Sequence, residues 1–229
     1  MATSGTTAFT LDLGDVIEEA FERCGSESLT GYDLRTARRS LNLLFADWAN
    51  RGVNLWTLDS GTVPLVASTA TYTLPADTID LLDTVVRINN GVVATQYDQV
   101  LTRISNSVYS ATPNKLTTGK PIQMVVNRLG AAPTVTLWPV PDGAATYTLV
   151  YWRLRRIQDA GVSADVTNDI PFRFLPPLAS GLAYYLAFKV PGAAERIPTL
   201  KEVYDDDWGR ASDEDREKAA FRIMPWIGR

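Results

Sequence analysis

The chain has 229 residues, 45% of them hydrophobic, with 6 Trp, 9 Tyr and 7 Phe; that is enough apolar material for a sizeable core in one large domain or two small ones, and disorder is not the default reading. The net charge of −4, from 22 basic and 26 acidic residues, speaks against a sequence-reading nucleic-acid binder with a broad basic face. With no histidine, and with Cys24 as the one cysteine, an internal disulfide and Ser-His or Cys-His nucleophile activation are excluded within the chain. An enzyme would be left with a carboxylate pair, an activated lysine or a site shared between subunits.

Residues 1–11 read as a flexible arm that lacks the basic and apolar regions of a signal peptide. A helix is expected from about Asp12 to Cys24, because Leu13, Val16, Ile17, Ala20, Phe21 and Cys24 form one stripe at three- and four-residue spacing. Asp12 suits the N-cap and Gly25 the stop. A second helix is expected from about Tyr32 to Arg51, with Thr30 as cap, Gly52 as stop and the stripe Leu34, Ala37, Leu41, Leu44, Phe45, Trp48. The short loop between them predicts an antiparallel helical hairpin.

From Val53, Leu55 and Trp56 onward the pattern turns to strand. Residues 70–74 alternate with period two, and 81–88 are rich in β-branched residues. Asn90-Gly91 predicts a tight hairpin turn into Val92 and Val93. A short helix over 101–110 and strands at 122–127, 134–138 and 147–154 complete this block. After a polar loop, Pro171, Pro176 and Pro177 mark a helix start. One helix is expected over about Leu175–Val190, and a long polar one runs from Ala193 or Pro198 to Ala220. The predicted fold class is α+β. Residues 1–52 form an N-terminal helical hairpin, 53–157 an inserted antiparallel β-domain, 158–220 the C-terminal helices that complete a bundle, and 221–229 an extended tail. No apolar run reaches the roughly 18 residues needed to cross a membrane, so no membrane partner is expected.

Asp205, Asp206, Asp207, Asp213, Glu214 and Asp215 form an acidic cluster. It lacks the Asp-x-Asp-x-Asp-Gly spacing of a calcium loop, and a solvated helix face is the expectation. Phosphate-binding glycine loops and a Gly-x-Ser-x-Gly elbow are absent from the sequence. On a strand, Arg153 and Arg155 share a face with Tyr151, opposite Trp152 and Leu154. We read Arg153, Arg155 and Arg156 as a subunit or tail interface, where arginine is favoured for ion pairs; base stacking is the competing reading.

The most unusual segment is the last. Phe221, Arg222, Ile223, Met224, Pro225, Trp226 and Ile227 place five large apolar side chains within seven residues. Burying each contributes roughly 1.5–3 kcal/mol, and an exposed cluster would invite aggregation. The segment either folds back on its own core or docks in a partner's groove, and docking is the favoured reading.

Read in order, several segments resemble the head-to-tail adaptor (connector) proteins of short-tailed phages, the tail tubular protein A or tail accessory factor type. They are Ala37-Arg-Arg-Ser-Leu-Asn-Leu-Leu44, Trp48-Ala-Asn-Arg-Gly-Val-Asn-Leu-Trp56, Tyr72-Thr-Leu-Pro75, the run from Pro113 to Pro121, Thr136-Leu-Trp-Pro139, Tyr151-Trp-Arg-Leu-Arg-Arg156 and Asp213-Glu-Asp-Arg-Glu-Lys218. The resemblance implies a virion protein that forms a homo-oligomeric ring, usually a dodecamer, beneath the portal protein. Its bundle and residues 211–229 would meet the portal, its β-loops would meet the tail nozzle or hub protein, and duplex DNA would pass through its lumen. It implies no catalytic residues and no cofactor. An acidic chain suits a channel through which DNA must slide without sticking. Two other readings are kept: a carbohydrate- or receptor-binding tail module using Trp138 or Trp152, with strand alternation placing both in a core, and a carboxylate-based hydrolase, for which the sequence identifies no pair.

Overall fold

Helix α1 (Leu13–Cys24) starts where the Asp12 carboxylate accepts the Asp15 N–H at 2.8 Å and stops at Gly25, whose φ of 79° is left-handed. Arg196 lies against this glycine and donates to the Arg23 carbonyl at 3.2 Å, bringing a positive charge to the helix C-terminus. These elements come from a computed structural model that describes residues 5–6, 9–27, 31–52, 55–163 and 167–216; the expected cap Thr30 and the tail 221–229 lie outside them.

Two compact units divide the chain. One comprises residues 1–56 and 157–229, the other 57–156. The first contains α1, α2 (Gly31–Asn50), α4 (Leu175–Ala187) and α5 (Ile197–Glu214), with α3 (Asn106–Ser110) falling in the second. The stripes of α1 and α2 are buried as their periodicity requires, apart from half-buried Leu34. The expected pairing of α1 with α2 is corrected: α1 packs chiefly on α4. The reason is composition. Helix α4 has no charged residue and is buried on most of its surface, so it must be surrounded, and α1, α2 and α5 all pack on it.

Their side chains form one cluster around Trp48, Phe174, Leu178, Leu182 and Tyr204. Gly181 permits the close approach of α5 and α2, since a Cβ there would lie 2.8 Å from the Tyr204 ring and 3.0 Å from Leu44. Gly181→Ala is expected to destabilise the protein by about 1–2 kcal/mol, overpacking outweighing the better helix propensity. Urea unfolding midpoints would show it, and a stabilised variant would refute the close packing.

Helix α5 ends at Glu214, and the expected end at Ala220 lies outside the described residues. Asp215 turns inward: its N–H bonds the Ala211 carbonyl, and its carboxylate accepts the Leu55 N–H at 2.8 Å. This is a contact across 160 residues of sequence.

In the second unit one sheet has the order β1-β10-β3-β4, all antiparallel, from β1 (Leu58–Pro64), β3 (Thr78–Ile88), β4 (Tyr97–Val100) and β10 (Tyr147–Arg155). The other has the order β2-β8-β7-β5, from β2 (Thr71–Thr73), β5 (Thr102–Arg103), β7 (Gln123–Asn127) and β8 (Thr134–Trp138). Helix α3 (Asn106–Ser110) follows β5, and β6 (Thr118–Gly119) pairs with β9 (Val140–Pro141). Both sheets contribute to one core that includes Tyr72, Leu81, Val86, Met124, Leu137, Leu149 and Tyr151.

The expectation of a wholly antiparallel domain is corrected at two places, because β5–β7 and β6–β9 are parallel. Leu55–Thr57 is a 3-10 turn rather than strand. The region expected as a helix over 101–110 is helical only from Asn106, where Ser105 caps it, because residues 102–103 pair with β7. Asn90-Gly91 does not make a two-residue turn: Asn89 and Gly91 take positive φ, Gln96 Oε1 accepts the Gly91 N–H, and β4 begins only at Tyr97. Val92 and Val93 are exposed in this longer loop.

Candidate functional site

Arg153 lies on β10 between β1 and β3, opposite Asp59 and Leu81. A register shift between Tyr151 and Arg153 marks a bulge, and Arg153 is 8% exposed. Its Nη1 donates to Asp77 at 2.5 Å and to Thr78 Oγ1 at 2.9 Å, and its Nη2 donates to Asp59 at 3.0 Å. The guanidinium is thus engaged inside its own unit. Arg155 is half-buried and donates to the Arg156 carbonyl, and Arg156 is exposed. Trp152 and Leu154, expected on one core face, separate: Leu154 is buried while Trp152 is 42% exposed. Trp138 is half-buried, its indole N–H donating to the Asn114 carbonyl.

The Arg153 hydrogen bond holds the Asp77 carboxyl below the usual carboxylate range, and Arg87 does the same for Asp98. At Asp80 burial pushes upward, but Arg103, the Leu81 N–H and Arg128 together more than offset it. A depressed folded-state pKa contributes stability above the unfolded value and loses it as the pH falls through the folded value. Thermal stability is therefore expected to drop between about pH 5 and about pH 2, and melts that stay flat over that range would contradict these pairs.

Two grooves of the first unit combine apolar and charged residues. One, of about 640 Å³, has an apolar floor of Leu11, Phe172, Leu175, Pro176 and Ala179. Its wall is the acidic face of α1, where Asp15, Glu18, Glu19 and Glu22 recur at three- and four-residue spacing. Glu19 pairs with Arg23, while Asp15, Glu18 and Glu22 are exposed and form no ion pair among the described residues. The second groove, of about 580 Å³, includes Tyr32, Arg39, Leu43 and Lys189. Lys189 donates to Ser40 Oγ at 2.7 Å, and burial together with Arg39 lowers its pKa.

Of the acidic cluster, Asp205 pairs with Lys201, Asp207 with Arg210 and Asp213 with Arg216, while Asp215 is buried. Arg173 approaches Asp215 at 3.5 Å, close enough to pair as ions but not to hydrogen-bond. Cys24 is buried, donates to the Ala183 carbonyl at 3.2 Å, and is pushed up in pKa by burial. No helix among the described residues is long and apolar enough to cross a membrane. Phe221, Arg222, Ile223, Met224, Pro225, Trp226 and Ile227 lie outside the described residues.

An α+β chain of this kind, with charged and apolar surfaces on two units, matches one class of protein on comparison. The family model described as SU10 adaptor protein covers residues 11–224, and the chain belongs to that family. It is a phage adaptor, as the ordered segments had suggested at that level. None of the curated proteins matches the chain.

Proposed function

We propose that this adaptor is the head-to-tail connector of a short-tailed phage, of the tail tubular type. It is a structural virion protein that forms a ring, a dodecamer, joins the portal to the tail nozzle or hub, and lines the DNA passage. The observation that carries this reading is the family match, which spans nearly the whole chain. The absence of histidine and the net charge of −4 support a structural role over a catalytic one and a channel over a DNA-gripping surface. The helical unit faces the portal, Phe221–Ile227 serve as its anchor, and the loops of the β-unit face the tail. Assembly takes place in the host cytoplasm.

A chain truncated after Lys218 is expected to stay folded by circular dichroism and to lose co-sedimentation with portal rings; retained binding would sink the anchor. Negative-stain images of full chain mixed with portal should contain stacked double rings, and single rings only would refute the connector reading. A second reading has one observation in its favour. Exposed Trp152 borders a hollow of about 390 Å³ with Leu82, Asp83, Val100 and Arg103, a platform on which a sugar ring could stack. Glycan binding abolished by Trp152→Ala would support it.

A further inference from the structure

We infer that the acidic face of α1 on one copy of the chain docks on the exposed face of α2 on a second copy, with Glu18 and Glu22 set against Arg35 and Arg39. The inference deepens the connector reading and rests on it, because a ring needs a contact between copies and that reading names none.

The acidic face follows from helix periodicity. Asp15, Glu18 and Glu22 are exposed on one side of α1 and form no ion pair among the described residues. Exposed Phe172 lines the same hollow as these carboxylates.

The opposite charge stands on α2. Its buried stripe runs from Ala37 to Trp48, and its far side is exposed at Tyr32, Arg35, Arg39 and Leu43. Spacings of three and four residues make these one continuous face. Tyr32 is 63% exposed and Leu43 59%, so the face combines two guanidiniums with two large apolar side chains. Lys189, just past the end of α4, shares with Arg39 the groove of about 580 Å³, which Glu27 and Asp33 also line. Arg35, Arg39 and Lys189 form no ion pair among the described residues. Arg39 helps to lower the Lys189 pKa, so like charges are crowded there, and an incoming carboxylate relieves their repulsion.

Charge and spacing together identify the occupant. Glu18 and Glu22 are four residues apart, and so are Arg35 and Arg39; on a helix each pair rises by about 6 Å. Two carboxylates can therefore meet two guanidiniums in step, in bidentate geometry. Exposed Tyr32 and Leu43 beside the cations favour a protein surface over a phosphate backbone. Each copy carries both faces, so it can offer acid to one neighbour and base to the next. A head-to-tail contact of that kind closes into a ring where the rotation allows it.

The contact is tested with the full chain at high concentration and low salt, by sedimentation velocity. The native chain is expected to associate, and added salt to disperse it. Glu18→Arg/Glu22→Arg and Arg35→Glu/Arg39→Glu should each weaken association roughly tenfold. Mixed in equal amounts, the two variants should recover it, because each then offers the charge that the other lacks. All four positions are exposed, and circular dichroism checks that each variant is folded. A native chain that stays monomeric, a variant that associates like the native chain, or a mixture that does not recover would overturn the inference. Duplex DNA retained by the native chain and lost with Arg35→Glu/Arg39→Glu, self-association being unchanged, would assign the α2 face to nucleic acid and overturn it as well. Double rings on portal formed equally well by both variants would refute this contact and leave the connector reading standing. Recovery in the mixture without double rings on portal would uphold the contact and sink the connector reading.

Discussion

Trp48→Ala is expected to destabilise the helical unit by about 3–5 kcal/mol, a large share of the stability of an ordinary domain. The indole is fully buried, with ring centroids of Trp208 at 4.9 Å, Phe174 at 5.8 Å and Phe45 at 6.2 Å. Its N–H donates to the Tyr204 hydroxyl at 2.9 Å. Burial pushes the Tyr204 pKa up to about 12, as expected for a hydroxyl shut away from water. Removing the indole opens a cavity and also strips that hydroxyl of its donor. Trp48→Phe separates the two effects: it refills most of the space, leaves the hydroxyl without the indole, and should cost about 1–3 kcal/mol. Urea titrations of both variants, followed by far-UV circular dichroism, give the comparison. An unchanged midpoint for the alanine variant would show that the four-helix cluster does not depend on this residue.

Arg153→Ala has the second-largest expected effect, about 2–3 kcal/mol at neutral pH. One guanidinium holds two carboxylates and a threonine hydroxyl, so its loss leaves like charges facing each other. The cost stays below that of a fully buried pair because the Asp59 and Asp77 side chains are 47% and 45% exposed and can take up water. Arg153→Lys should recover only part of the loss, since an ammonium cannot reproduce the forked geometry. The acid sensitivity assigned to Asp77 should shrink in the alanine variant, because the depressing partner is gone. If Arg153 acts instead at a contact between subunits, its removal would dissolve the ring while leaving the melting of the free chain unchanged. That outcome would reverse the internal role described above.

Local patterns were readable wherever local chemistry decides the structure. Asp12 and Gly25 bracket α1 because capping uses the nearest backbone groups, and the stripe from Ala37 to Trp48 is buried because a helix can hide only one face. The failures share a cause in distance along the chain. Nothing near Asp215 indicates that it will accept the Leu55 N–H, so the end of α5 could not be placed. Strict alternation put Trp152 with Leu154, but the bulge on β10 breaks that alternation. Asn90-Gly91 carries the turn residues of a short hairpin, yet where β3 ends and β4 begins is decided by pairing across the sheet. At the site, Arg153, Arg155 and Arg156 stood out as a cationic run, whereas the carboxylates that engage Arg153 come from β1 and from just before β3. The acidic face of α1 has its own signal in the sequence, the same three- and four-residue spacing as the apolar stripe, but spacing of hydrophobic residues alone does not show it.

The division into a continuous and a discontinuous unit has a consequence for synthesis. Residues 57–156 are contiguous and can complete their sheets as soon as they leave the ribosome. The helical unit cannot. Trp48 meets Tyr204 across 156 residues and Cys24 meets Ala183 across 159, so the apolar faces of α1 and α2 must wait for α4 to be made. At bacterial elongation rates that delay is on the order of ten seconds. During it the nascent chain displays two amphipathic helices without a partner, which makes the N-terminal segment the natural client of holding chaperones. The helical unit should accordingly be the slower to form, since its closing contacts span most of the chain.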